Sequence, residues 1–349
     1  MLTKKSFGLT ICRINGTIET ESVIEKLSEF KLKPTTEIRE ETILGFVNLM
    51  NFMPDITENT VKFGNHYYLS LRKAQRKIPA SLFKTIQAKA FNAYMTENGK
   101  DFVPTKEKKR INAEIVEKHT VQMPPIFTDI PIVLDVKDNL CFILGSGQKK
   151  IDTVAAIVFK LFSVDIVPVT PSELFSDSED YSTFQLSACP VPEDVPRHGR
   201  DFLVWVWYMT GKQTEHDSAI ACIVGDIKLV SEEDEPMGCV ETIVKKGNTT
   251  NSNESLDALK QGKKIKVAGM AFSDNLKQSW RCNLDADTFS MSGFKCPEGE
   301  EMDIAGLIEE RIESIKRFHD VFCESFKNYA IAKRNPETNE KIKEWLKNG

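Results

Sequence analysis

The alternation of apolar and polar residues divides most of the chain into strands and helices. "FGLTICRI" (residues 7–14) alternates as a half-buried strand does. "TETESVIEKLSEF" follows, with a Thr cap, early acidic residues, and Val23, Ile24 and Leu27 at helical spacing. "HYYLSLRKAQRKIP" reads as a strand that runs into a basic turn. Pro79 then takes the first position of a helix, "ASLFKTIQAKAFNAYM", whose apolar stripe is Leu82, Phe83, Ile86, Ala90 and Tyr94. "NGKDFVP" breaks that helix, and a second one, "TKEKKRINAEIVEKH", starts from a Thr105 cap. The two make a helical hairpin with Lys84, Lys89, Lys106, Lys108, Lys109 and Arg110 on its exposed sides.

From Pro124 the pattern changes. "IPIVLDVKDNLCFIL" is a strand, an Asp-Asn turn and a second strand. The helix "KKIDTVAAIVFKLF" and the strand "DIVPVTP" complete that unit. A Ser/Asp/Pro-rich stretch after residue 172 reads as loop, and "DFLVWVWYMT" and "SAIACIVGDIKLV" read as a strand pair. "KKIKVAGMAF", "QSWRCNLDAD" and "TFSMSGFKC" read as an antiparallel meander. The last long helix places Ile308, Ile312, Ile315, Phe318, Phe322 and Phe326 in one stripe. The fold class expected is α+β with mixed or antiparallel sheets. Residues 1–60 with 121–172 would form an α/β sheet region and 61–120 a basic, tip-like helical hairpin. Residues 173–332 would form a second β-rich region with the long C-terminal helix, and 333–349 a loosely docked polar tail.

A length of 349 residues, with 41% hydrophobic and 28% charged residues, fits a soluble globular protein of more than one domain. No apolar run reaches the 18 residues of a membrane span, and the N-terminus carries no h-region, so neither membrane nor secretion is expected. The eight cysteines are scattered without a C-x-x-C pair, which points to reduced thiols and no zinc site. The net charge of −5 conceals a strong asymmetry. Residues 61–125 hold 13 Lys/Arg against 5 Asp/Glu (+8), residues 172–240 hold 4 against 14 (−10), and residues 241–282 hold 8 against 4 (+4). Local positive surface, rather than the total, decides affinity for a polyanion.

"CFILGSGQKKIDTV" has the outline of a phosphate-binding loop, but Gly145 and Gly147 are too close for a Walker A motif and Ile151 stands where Ser or Thr is needed. Lys150 occupies the third glycine position of a dinucleotide fingerprint. A tight strand-to-helix turn is the simpler assignment, with Lys149 and Lys150 at a helix start that suits a nucleic-acid phosphate. Asp285, Asp287 and the acidic "SEEDEP" are the carboxylates a metal nuclease would draw on, yet no partner stands at a recognisable spacing. No nucleophile signature is present, so no catalytic residue, metal or cofactor is expected. The strongest signal is sequence-independent polyanion binding. Its carriers are Arg72, Lys73, Arg76 and Lys77 beside Tyr67 and Tyr68, then Lys245 and Lys246, then Lys260, Lys263, Lys264 and Lys266.

The order of "LRKAQRKIPASLFK", "PTKEKKRINAEIVEKHTVQMPPIF", "GSGQKKIDTVAAIVFK" and "DIVPVTP" resembles the bacterial recombination-associated RdgC family, and the likeness runs from about residue 7 to 332. The resemblance implies a horseshoe-shaped subunit that pairs into a ring-shaped homodimer. Such a ring binds double-stranded DNA without sequence preference and restrains RecA-promoted strand exchange. It places Arg72, Lys73, Arg76, Lys84, Lys106, Lys108, Lys109, Lys149, Lys150, Lys245 and Lys246 among the DNA-binding residues, which Lys77 joins from the basic segment itself, and Phe127 at the dimer interface. Where the family has an arginine before that aromatic, this chain has Pro125. The expected partners are double-stranded DNA, a second copy, single-stranded DNA and a RecA-type recombinase, in a cytoplasmic, nucleoid-associated setting. Two alternatives come from other classes: a metal-dependent DNA exonuclease, and a module that acts on a recombinase through its acidic segment without touching DNA.

Overall fold

The computed structural model describes residues 2–34, 42–176, 198–212, 220–231, 239–299 and 303–348. The chain opens with β1 (Phe7–Asn15), α1 (Val23–Glu29), β2 (Ile43–Asn48), the one-turn α2 (Glu58–Val61), β3 (Lys62–Phe63) and β4 (His66–Arg76). Helices α3 (Ala80–Asn98) and α4 (Thr105–Thr120) come next. They lead into β5 (Pro125–Asp135), β6 (Leu140–Ile143), α5 (Gln148–Phe162), β7 (Asp165–Pro168) and α6 (Pro171–Ser176). The C-terminal half holds α7 (His198–Lys212), β8 (Ala221–Val230), β9 (Glu241–Val244), α8 (Asn253–Lys260) and β10 (Lys264–Ser273). It closes with β11 (Ser279–Asp285), β12 (Met291–Lys295), α9 (Ile304–Lys333) and α10 (Pro336–Asn348). The fold is α+β.

Two compact units share these elements. One contains residues 20–62 and 68–131, the other residues 1–19, 63–67 and 132–349. In the smaller unit β2 pairs antiparallel with β4, from Ile43 opposite Ala74 to Asn48 opposite Leu69. Leu32, Val47 and Ala74 form a small core against this pair. The helical hairpin has a core of its own: Ile78, Val103, Ile111 and Ile115 are buried, with Phe83, Ile86, Ala90 and Tyr94 packed on them. Leu82, expected in that stripe, is instead exposed, and α3 has no fully buried residue. The expected Thr105 cap is also absent. Pro79 and Pro104, with φ of −56° and −61°, stand just before their helices, so Thr105 is the first helical residue. A fixed φ in that range preorganises a helix start without a side-chain acceptor.

The larger unit is built on antiparallel strands ordered β6-β1-β12-β11-β10-β8-β9, with β7 also on β1 and the end of β5 on β6. The whole expected stripe of α9 is buried. Phe318 meets Phe294 edge-on at 4.7 Å, and Phe322 meets Phe289 at 5.1 Å. Asp303 caps the helix by accepting from the Gly306 amide at 2.7 Å. Each such buried side chain is worth about 1.5–3 kcal/mol, so α9 is the main apolar anchor of this unit.

Two expectations fail here. "DFLVWVWYMT" is not a strand but the core of α7, with Phe202, Leu203, Val204, Val206, Trp207 and Tyr208 all buried. A helix covered on most of its circumference shows no apolar stripe, and its β-branched and aromatic residues then imitate a strand. The polar tail is not loose either. It forms α10, with Ile342 and Leu346 buried and the Trp345 ring 6.0 Å from Trp207 and 5.6 Å from Tyr208. The acidic "SEEDEP" lies almost entirely outside the described residues.

Candidate nucleic-acid interface

The basic residues fall into three groups, set by the elements that carry them. The hairpin presents Lys84, Lys106, Lys108 and Lys109 as exposed side chains, with Lys77 exposed just before it and Lys73 half-buried on β4. None of these lysines has a carboxylate partner among the described residues, whereas Arg110 is held by Glu107 at 2.8 Å and Glu114 at 2.6 Å. An unpaired ammonium keeps its full charge for a polyanion, so the lysines carry the hairpin's positive field. The helices are held together by their apolar core and by a bond from Gln87 Nε2 to Asn112 Oδ1 at 2.7 Å.

Arg72 and Arg76 sit differently. Arg72 donates to both oxygens of Asp129, from Nε at 2.7 Å and Nη2 at 3.0 Å. Its guanidinium carbon also lies 5.2 Å from the Phe52 ring and 4.9 Å from the Phe127 ring. Arg76 donates to the backbone carbonyls of Val121 and Met123 and so clamps the end of α4. Both arginines are occupied in building the unit. Phe127, 42% exposed, forms one side of the Arg72 cage and stands next to exposed Ile126 on β5. Asp129, which makes the cage possible, had no local signal in the sequence.

The remaining cations belong to the larger unit. Gly147, at φ 151°, provides the sharp turn into α5, and Lys149 and Lys150 follow on its exposed first turn. Lys150 folds back over Gly145, where an added Cβ would meet its Nζ at 3.1 Å. Lys245 and Lys246 lie on the exposed turn after β9, where the Lys246 amide donates to Asp226 at 3.1 Å. The strand order separates these two pairs. From β6, which leads into α5, to β9 there are six strand steps, about 29 Å along a flat sheet. They are therefore two separate basic groups rather than one patch.

A family model described as "Putative exonuclease, RdgC" matches residues 8–182, half of the chain. The chain belongs to the RdgC family. No curated protein matches it. The matched span contains the hairpin, the Arg72 cage and the start of α5. The Lys245–Lys246 turn and α7 to α10 lie beyond it in this RdgC family member.

Asp285 and Asp287, two of the carboxylates a nuclease would draw on, are engaged in structure. Asp285 accepts from the amides of Asp287 and Thr288 and closes its own turn. Asp287 takes two bonds from Arg200, at 2.7 and 2.8 Å. Among the described residues, no group of three or more His, Cys, Asp and Glu side chains is placed to hold a metal ion. A groove of about 600 Å³ beside α9 is lined by residues including Asp138, Glu313, Lys316, Arg317 and Asp320. Lys316 donates to Asp135 and Asp138 at 2.8 Å each, and Arg317 pairs with Asp274 at 3.3 Å. Burial pushes the Asp135 carboxyl up, but bonds from His66, Lys316 and the Asp138 amide outweigh it and hold the group well below the usual carboxylate range. Burial likewise lowers Lys316, but its two carboxylate partners raise it well above the ordinary lysine value. These ions are a structural cross-brace. Among the described residues seven cysteines are free thiols, and burial pushes Cys12 and Cys282 up to about 12, which keeps them protonated. No helix among the described residues is long and apolar enough to cross a membrane.

Proposed function

We propose that this RdgC family member binds double-stranded DNA without sequence preference, as a homodimer, and thereby impedes a RecA-type recombinase on the same DNA. The observation that carries this reading is the hairpin, whose lysines are exposed and unpaired while the nearby arginines are consumed in packing. Lysines on a solvated helix contact phosphates and give affinity without base readout. Lys73, Lys77, Lys84, Lys106, Lys108 and Lys109 are the contacts assigned to the smaller unit. Lys149, Lys150, Lys245 and Lys246 are those assigned to the larger one. Arg72 and Arg76 act by holding β4, β5 and α4 in place. Self-association is assigned to the exposed end of β5 with Phe127, and the site of action to the nucleoid.

The role proposed is binding, not hydrolysis. Incubating end-labelled duplex with the protein and Mg²⁺ or Mn²⁺ separates the two. A retarded complex with its label intact supports binding, and release of labelled nucleotides would establish the exonuclease instead. Sedimentation in the same buffer reads the dimer; a strict monomer would remove the ring while leaving simple binding.

A further inference from the structure

The turn that joins α3 to α4 carries a feature that phosphate binding does not use. Gly99 ends α3 in the left-handed conformation, at φ 59°, and the Lys100 amide returns to the Met95 carbonyl at 3.0 Å. At the other side of the turn Val103 is buried in the hairpin core and Pro104 leads into α4. With both ends fixed and Val103 facing inward, Phe102 is turned outward and is 65% exposed, more than Phe159 at 55% or Phe127 at 42%.

A single exposed apolar side chain is ordinary on a protein surface. The setting makes this one informative. Lys100 and Lys106 stand on either side of Phe102 along the chain, Lys109 follows one turn along α4, and all three are exposed and without a carboxylate partner among the described residues; Asp101 is the one acid in the turn. A flat ring on a turn held at both ends, in a stretch rich in exposed lysines, matches one ligand chemistry closely: the face of a nucleobase whose flanking phosphates lie within lysine reach. A lipid surface would be met by the tip alone. Here the unpaired lysines continue away from the turn on both helices, at Lys84, Lys89 and Lys108, as a polyanionic strand would require.

We propose that Phe102 stacks on an unpaired or readily unstacked base, so that the hairpin distinguishes distorted DNA from a regular duplex while remaining indifferent to sequence. The proposal rests on the DNA-binding reading above and adds a substrate preference to it. Stacking on an aromatic tolerates any base because every base has a π-face, and wedge residues insert where stacking is weakest.

The test compares a fully paired duplex with the same duplex carrying an unpaired bulge, by fluorescence anisotropy of labelled DNA. Wild type should bind the bulged DNA more tightly. Phe102→Ala should weaken the bulged complex about tenfold and change the paired one by less than about twofold. Phe102→Trp should keep the preference, and its indole emission should be quenched by the bulged DNA more than by the paired one. Circular dichroism confirms that both variants remain folded, as the exposure of the ring implies. Equal losses on both DNAs, no loss on either, or a fall in self-association in place of the DNA preference would overturn the proposal. If wild type binds neither DNA, the DNA-binding reading itself fails, which is a different result from binding without preference.

Discussion

The guanidinium of Arg72 lies between the Phe52 and Phe127 rings and donates twice to Asp129, so its charge is spent inside the fold. Arg72→Ala would leave Asp129 half-buried and unpaired. A loss of about 2–3 kcal/mol in urea unfolding is expected, with DNA affinity changing only as far as the fold does. Arg72→Lys recovers little, because an ammonium can neither make the paired bond nor fill the space between two rings. A second residue-scale expectation concerns His198, which is buried beside Lys333 and Asp201. Burial, with the Lys333 charge, lowers its pKa from 6.5 to about 4. The unfolded chain therefore binds the proton more readily, and the neutral histidine's contribution is complete above pH 6.5 and lost as pH falls towards 4. That loss amounts to about 3 kcal/mol, and unfolding midpoints of His198→Asn should be flatter across this window than those of wild type. At more acid pH, Asp135 adds a further loss, because its depressed pKa gives stability present above the ordinary carboxylate range and lost below it. None of this was legible in the sequence. Asp129 meets Arg72, and Asp135 meets His66 and Lys316, only through contacts between distant segments.

At the scale of elements, legibility followed periodicity. The α9 stripe and β11 were clear because each buries one face and exposes the other, whereas β10 and the β5-β6 hairpin, buried almost throughout, were clear as short apolar runs bounded by turns. Helix α7 was hidden because it has no polar face to set a period, and α10 because its few apolar residues are diluted by charge. Yet α10 is firmly docked. Its Asn339 donates to the Lys333 carbonyl at 2.5 Å, and Ile342 is fully buried. Ile342→Ala should cost about 2–4 kcal/mol in denaturant unfolding, where a loose tail would show no change. The hairpin behaves in the opposite way. Lys106→Ala, Lys108→Ala and Lys109→Ala combined should leave stability within about 0.5 kcal/mol, since these side chains touch no partner.

For the whole molecule, an acidic total of −5 coexists with local basic surface on both units, and local surface rather than the total decides affinity for a polyanion. The basic blocks were readable from the sequence as composition. Which of their members are free was not, because that depends on where each carboxylate lands. The structure separates exposed lysines on the hairpin, α5 and the turn after β9 from the committed Arg72 and Arg76, while Lys263 and Lys264, expected among the basic carriers, are buried and Lys263 donates to Thr242. The account of function stands on that division. The measurement that tests it most directly is duplex affinity across a salt series, for wild type, the hairpin triple-lysine variant and a Lys245→Ala, Lys246→Ala variant. The account predicts binding at low salt that falls linearly in log–log form, with a slope that becomes shallower by about one for each lysine removed. No binding at low salt, or a slope near zero, would contradict it.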